Sequence, residues 1–170
     1  METVEAILTR RSVRHFNPEP VPADLIETLL KAAMQAPSAA NAQPWHFIVI
    51  NDRDLLEKVT TFHPAAESLH GAPMAILVCG DDKLEKRPDR WILDCSAATQ
   101  NILLAAHALG LGAVWLGIQP DEFRIEGIYQ LIGLPAHVHP LALVAVGFPA
   151  RVPSPVNRFR SDRVHYNRWE

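Results

Sequence analysis

The chain has 170 residues, of which 48% are hydrophobic and 21% are charged, and this predicts one compact domain with a substantial core. A formal net charge of −3 argues against nucleic acids or anionic membranes as partners, because no global basic field is present. Cys79 and Cys95 lack CxxC or zinc-ribbon spacing and lie in apolar runs, so we expect reduced thiols in a cytoplasmic protein.

The first third of the chain predicts three helices and a strand. Apolar stripes indicate helices over 3–10 and 24–35, and Pro37 ends the second helix. A proline-punctuated extended link, 17–22, joins them. Aromatic and β-branched residues predict a strand over 45–51, and a helix capped by Asn51 or Asp52 then continues to Val59.

The rest of the chain adds two long apolar runs, 73–80 and 141–148, which predict strands buried on both faces. The longest helix, 91–109, is apolar nearly all round and ends at Gly110 and Gly112. A short strand over 113–116 and a helix over 123–132 follow. Because the elements do not alternate in a regular βαβ order, we expect an α+β fold whose mixed sheet is covered by helices on both faces.

A basic cluster follows the first helix. It contains Arg10, Arg11, Ser12 and Arg14. Guanidinium groups match phosphate oxygens in bidentate fashion, and a serine hydroxyl donates a further hydrogen bond. The cluster therefore favours a local anion site, although a solvated basic helix end, stabilised by the helix dipole, explains the local sequence equally well.

The segment RRSVRHF and the later loop PSAANAQPW, residues 37–45, together resemble the signature of the FMN-dependent nitroreductase family in order, spacing and residue type. The usual loop has a second serine where Ala39 stands, which removes at most one hydroxyl contact. The resemblance extends from Ala6 to Trp169 and is closest to small, short-chain members. It implies a three-layer α-β-α fold with a mostly antiparallel sheet, and an obligate homodimer with two FMN sites at the interface.

The resemblance also implies roles for these segments. Arg10 and Ser12 would bind the phosphate and ribityl chain, and Arg14 would lie near the pyrimidine edge of the flavin, where a cation stabilises the reduced cofactor. The partner subunit would supply the 37–41 part of the loop, and the tail, about 152–170, would wrap around the partner. The predicted cofactor-binding residues are Arg10, Arg11, Ser12, Arg14, Pro37, Ser38, Ala39, Asn41, Gln43, Leu116, Gly117, Arg158 and Arg160.

Four of these assignments rest on weaker patterns. The segment LGLGAVWLG follows a helix and lacks the third glycine of a dinucleotide fingerprint, so we predict backbone contacts to the flavin from Leu116 and Gly117 instead. A helix C-cap followed by a core strand is compatible with this role. Arg158 and Arg160 resemble the basic position that completes the phosphate site, and the sequence does not distinguish them from solvent-exposed arginines.

His137 and His139 form an H-x-H pattern without a third ligand at useful spacing. We therefore expect no metal, and we place both in a connecting turn before the last core strand.

The family implies a ping-pong oxidoreductase, in which NADH or NADPH gives a hydride to flavin N5 and a small acceptor then takes the electrons. Since positioning and electrostatics suffice, we predict no catalytic acid or base. Nitroaromatics, quinones, enones and free flavin remain possible acceptors, with 62–71 and 81–90 as candidate pocket edges. The alternatives are an FMN-binding carrier or sensor without turnover, and a dimeric scaffold without flavin.

Overall fold

The computed structural model describes residues 1–169. Over this range it has five α-helices and one four-stranded sheet. In chain order these are α1 (Thr3–Thr9), α2 (Ala23–Met34), β1 (Trp45–Ile50), α3 (Arg53–Phe62), β2 (Met74–Asp81), α4 (Trp91–Ala108), β3 (Gly112–Gly117), α5 (Glu122–Ile132) and β4 (Val138–Gly147).

The sheet has the strand order β1-β2-β4-β3, and each neighbouring pair is antiparallel. Every residue of β2 is buried, as its unbroken apolar sequence predicted. Parallel pairing within the described residues is limited to an isolated bridge between Ser12 and Ala113. The sheet that we expected to be mixed and mostly antiparallel is therefore antiparallel in all four strands, with this bridge at its β3 edge.

Helices cover both faces of the sheet and make the three-layer α+β architecture that the sequence predicted. Helices α2 and α4 pack on one face, where Leu29, Ala98 and Ile102 are fully buried. Helices α3 and α5 pack on the other, where Val59 and Ile128 are fully buried. None of the helices described within 1–169 is both long and apolar enough to span a bilayer.

Local capping sets the ends of the helices next to the sheet. Asp52 Oδ1 accepts from Leu55 N at 3.0 Å and starts α3, which continues three residues past the predicted end at Val59. Gly110 ends α4 with a φ of 77°, and Leu111 N donates to Ala106 O at 2.8 Å, the Schellman arrangement. This tight end brings the chain directly into β3.

The start of β4 differs from the prediction. His139 and Pro140 belong to the strand and not to a connecting turn, and β4 begins at Val138. Cys79 pairs with Pro140 and Val78 pairs with Ala142, so Leu141 is an extra residue at a bulge. A bulge interrupts the regular ladder, which is why an inner strand tolerates a proline that has no N–H to donate.

Candidate active site

The basic segment after α1 runs alongside the free edge of β3. Val13 N donates to Ala113 O at 3.0 Å, and Ser12 forms the isolated bridge to Ala113. Gly112 permits this close approach, because a Cβ there would lie 2.6 Å from Val13 Cγ1. The arrangement fixes Ser12 and the arginines beside it at the β3 edge of the sheet.

Three arginines converge between the end of α1 and the tail. Arg10, Arg11 and Arg158 line one cavity of about 620 Å³, and the Arg11 guanidinium donates to Ser154 O of the tail. Partial burial, together with the Arg158 and Arg11 cations, lowers the pKa of Arg10. Within residues 1–169 no carboxylate lies within 4.0 Å of any of the three. Crowded like charges without a counterion are suited to binding an anion.

The two tail arginines are in different environments. Arg158 is close enough to Arg10 to perturb its pKa, and it lines the same cavity. Arg160 instead donates from Nε and Nη2 to the two carboxylate oxygens of Asp162, at 3.0 Å each. The geometry therefore associates Arg158 with the arginine cluster and leaves Arg160 in an exposed local ion pair.

Arg14 lies at a second cavity, of about 760 Å³, whose opposite wall is formed by 64–71. The predicted pocket edge 62–71 thus faces Arg14. Ser68 of this wall is only 7% exposed, and its hydroxyl has no hydrogen-bond partner within the described chain. Arg53 stabilises this wall, because its Nη1 donates a hydrogen bond of 3.0 Å to Ala72 O. The sequence offered no signal for Ser68, because a lone serine in a loop fits no motif.

The end of β3 presents backbone groups at the sheet edge. Ala113 O points away from β4, since it accepts from Val13 N. Along an antiparallel strand, the N–H and C=O groups of successive residues point alternately to one neighbouring strand and to the other side. Gly117 therefore points its N–H and C=O to the open edge, as Ala113 does. Leu116 points its own to its β4 partner Leu143. Of the two predicted backbone contacts, only Gly117 has its amide directed outward.

The loop before β1 has an unusual backbone. Ala40, Asn41 and Gln43 all have φ values of 51–52°, in the left-handed region that residues other than glycine adopt rarely. Buried Asp94 of α4 accepts from Ala39 N at 2.9 Å, and Lys86 Nζ donates to Ala40 O at 3.1 Å. The second predicted pocket edge, 81–90, therefore contacts this loop and not the cavity beside Arg14.

The loop precedes β1, at one edge of the sheet, and the arginine cluster follows α1 beside β3, at the other edge. The Ser38 hydroxyl accepts from Gln43 N, and Gln43 Nε2 donates to Asn41 Oδ1, so these side chains bond within the loop. No hydrogen bond or ion pair in the described range connects Pro37, Ser38, Ala39, Asn41 or Gln43 with the cluster.

Comparison with known proteins decides the family. The model of the nitroreductase family matches residues 7–62 and 60–148. The chain belongs to this family. The resemblance that the two sequence segments suggested is thereby confirmed.

Named nitroreductase relatives match along nearly the full chain. A protein of Methanothermobacter thermautotrophicus named "Putative NADH dehydrogenase/NAD(P)H nitroreductase" is 50% identical over 99% of this chain and 88% of its own. A crystal structure of a protein of that name from Parabacteroides distasonis has a TM-score of 0.95 and 41% identity, with 98% of each chain covered. An FMN-dependent nitroreductase of Clostridium difficile has a TM-score of 0.90 and 26% identity, covering 98% of this chain and 99% of its own.

Proposed function

We propose that this protein is an FMN-dependent NAD(P)H oxidoreductase that reduces nitroaromatic, quinone or similar small acceptors, and that it works in the cytoplasm. The observation that carries this proposal is the group of three arginines without carboxylate partners beside the open edge of β3. Membership of the nitroreductase family and the names of its relatives support the choice of FMN and a nicotinamide reductant.

The residues of the site fit FMN in charge and in shape. The phosphate of FMN would lie among Arg10, Arg11 and Arg158, which together lack a counterion in the described chain. Ser12, fixed by its bridge to β3, would donate to the phosphate or the ribityl chain. Gly117 has no side chain to exclude a flat ring, and a Cβ there would meet nothing closer than Gln119 O at 3.9 Å.

The protein would contribute positioning and electrostatics. When bound, FMN supplies two-electron chemistry, in which NADH or NADPH is the donor and a small acceptor is reduced in a second half-reaction. Arg14 provides a cation at the wall of the second cavity, where it would stabilise negative charge on the reduced cofactor. We assign no side chain as a general acid or base, so no catalytic residue is named.

The complete site is proposed to need two copies of the chain. Within residues 1–169 the 37–43 loop makes no hydrogen bond or ion pair with the arginine cluster of its own protomer, and in our proposal it completes the site of the partner. The tail supports this arrangement, because Phe159, Tyr166 and Trp169 are 75–87% exposed in the protomer. Aromatic side chains of this size gain more by burial against a partner than by contact with water.

The phosphate assignment can be tested by titrating the apoprotein with FMN and following the quenching of flavin fluorescence. Replacing Arg10 by alanine should weaken binding about 10- to 100-fold, because charge-assisted hydrogen bonds contribute roughly 1.5–3 kcal/mol. Arg151→Ala is the matched control, since Arg151 is exposed and makes no hydrogen bond or ion pair with residues 1–169. Equal affinity of the Arg10 and Arg151 variants would show that the phosphate binds elsewhere.

A further inference from the structure

Arg124 is fixed beneath the end of β3 by three contacts. Its Nη1 donates to Gly117 O at 2.9 Å, its Nε lies 3.1 Å from Asp121 Oδ2, and its backbone N donates to Asp121 Oδ1 at 3.1 Å. The side chain is 27% exposed, so water screens it only in part. The guanidinium is therefore tied both to the N-terminal cap of α5 and to the last residue of β3.

His63 is a buried residue beside Gly117 and Arg124. It follows α3, is 1% exposed, and neither ring nitrogen has a hydrogen-bond partner within the described chain. The ring lies near Gly117, Arg124 and Asp121, and burial, followed by the Arg124 cation, lowers its pKa. Asp121 is the sole carboxylate that pairs with Arg124 in the described range.

Neither the backbone conformation nor the packing within the chain requires glycine at position 117. Its φ is not in the left-handed region, and a Cβ would have ample space. Gly112 and Gly147, by contrast, would clash with Val13 and Pro73 if they carried a Cβ. A glycine without conformational or packing necessity indicates that something outside the chain approaches this backbone, which must then be held firmly because glycine is the most mobile residue.

We infer that Arg124 is a positioning residue for the cofactor, which orients the Gly117 peptide and places a fixed positive charge behind it. This inference rests on the proposed function. The N–H and C=O of Gly117 point to the same open edge, so the bond from Arg124 to the carbonyl also fixes the direction of the amide. The amide can then donate to the flavin ring, and the cation favours the reduced, more negative cofactor over the oxidised one.

The test compares Arg124→Gln with the wild type and with Tyr129→Phe. Tyr129 is the matched control, because its hydroxyl donates to Val138 O from the same helix without touching Gly117. Dissociation constants for oxidised and for reduced FMN are measured anaerobically, and amide hydrogen exchange of 115–119 is measured on the apoprotein. Arg124→Gln should bind oxidised FMN about threefold more weakly and reduced FMN about 30-fold more weakly, whereas Tyr129→Phe should bind both as the wild type does.

The tenfold difference between the two oxidation states corresponds to a midpoint potential lower by about 30 mV for a two-electron couple. Exchange at 115–119 should accelerate in apo Arg124→Gln but not in Tyr129→Phe. Arg124→Lys, which keeps the charge, should restore most of the preference for reduced FMN.

Wild-type affinities and wild-type exchange in Arg124→Gln would overturn the inference and leave the proposed function intact. Equal weakening for both oxidation states would overturn the electrostatic role. A wild-type protein that binds no FMN would overturn the proposed function as well.

Discussion

At the scale of single residues, the site is marked by groups whose partners within the chain are incomplete. Arg10 has cations as neighbours, the buried hydroxyl of Ser68 has no acceptor or donor in the described range, and the Gly117 amide points outward. A polar group that remains unpaired in a buried place costs free energy, and Arg10 and Ser68 each line a cavity, so these two groups indicate a ligand.

The arginines were predictable and other residues of the site were not. RRSVR is a local pattern, and its chemistry follows from charge alone. Arg124 and His63 lie 61 positions apart in the chain, as their numbers show, and meet only through the packing of α3 on α5. Asp94 had a partial signal, because a carboxylate within an apolar helix needs a buried partner, but its bond to Ala39 N is a tertiary contact.

His63 makes the stability of the protein depend on pH. Its pKa is lowered in the folded state, so the unfolded chain binds the proton more tightly. The contribution of His63 to the free energy of unfolding is therefore full above about pH 6.5, the pKa of histidine in the unfolded chain. It decreases as the pH falls below that value. We expect His63→Leu to flatten this decrease when urea unfolding is measured at pH 5.5, 6.5 and 7.5.

Part of the slope should remain in His63→Leu, because burial and Arg10 also lower the pKa of His107. His165→Leu, in the exposed tail, serves as the control and should keep the wild-type slope. The same slope in wild type and His63→Leu would show that His63 is solvated when the protein is folded.

At the scale of elements, long apolar runs predicted the strands well, and local backbone chemistry caused the differences. Strand β4 begins three residues before the predicted apolar run, because a bulge accommodates Pro140 within the strand. The distinctive feature of the 37–43 loop is a series of left-handed residues at Ala40, Asn41 and Gln43. The sequence does not predict these angles at Ala40 and Gln43, since alanine and glutamine rarely adopt them, whereas asparagine, the residue at position 41, adopts them more readily.

The left-handed conformation of Ala40 predicts an unusual effect of glycine. With a φ of 52° and a ψ of 27°, Ala40 is strained by its Cβ, so Ala40→Gly should raise the free energy of unfolding by about 0.5–1 kcal/mol. Ala42, in the same loop, has ordinary right-handed angles, and Ala42→Gly should lower the free energy of unfolding by a similar amount. Urea denaturation of both variants tests this, and destabilisation by both would contradict the loop geometry.

At the scale of the whole molecule, apolar side chains remain uncovered on the outer helices. Val4, Ile7 and Leu8 form the apolar stripe that predicted α1, yet all three are more than half exposed. Leu93 of α4 is 60% exposed on a helix that otherwise packs into the core. A stripe that lies outside the core is typical of a surface covered by another chain.

The proposed homodimer can be examined with a charged substitution on this surface. Leu93→Glu should shift the protein from dimer toward monomer in analytical ultracentrifugation, because an unpaired carboxylate in an apolar interface is costly. Phe123→Glu is the control, since Phe123 is 70% exposed on α5, in the opposite helical layer. A wild-type monomer, or dimers of equal affinity for both variants, would contradict a dimer interface that includes Leu93.

The visible spectrum of the protein after reconstitution with FMN tests whether it is an FMN-dependent NAD(P)H oxidoreductase. The spectrum is recorded anaerobically before and after addition of NADH or NADPH. We expect a bound flavin spectrum that bleaches with either nucleotide and recovers when a quinone or nitroaromatic compound is added. A protein that cannot be loaded with FMN, or whose bound flavin stays oxidised with both nucleotides, would contradict it.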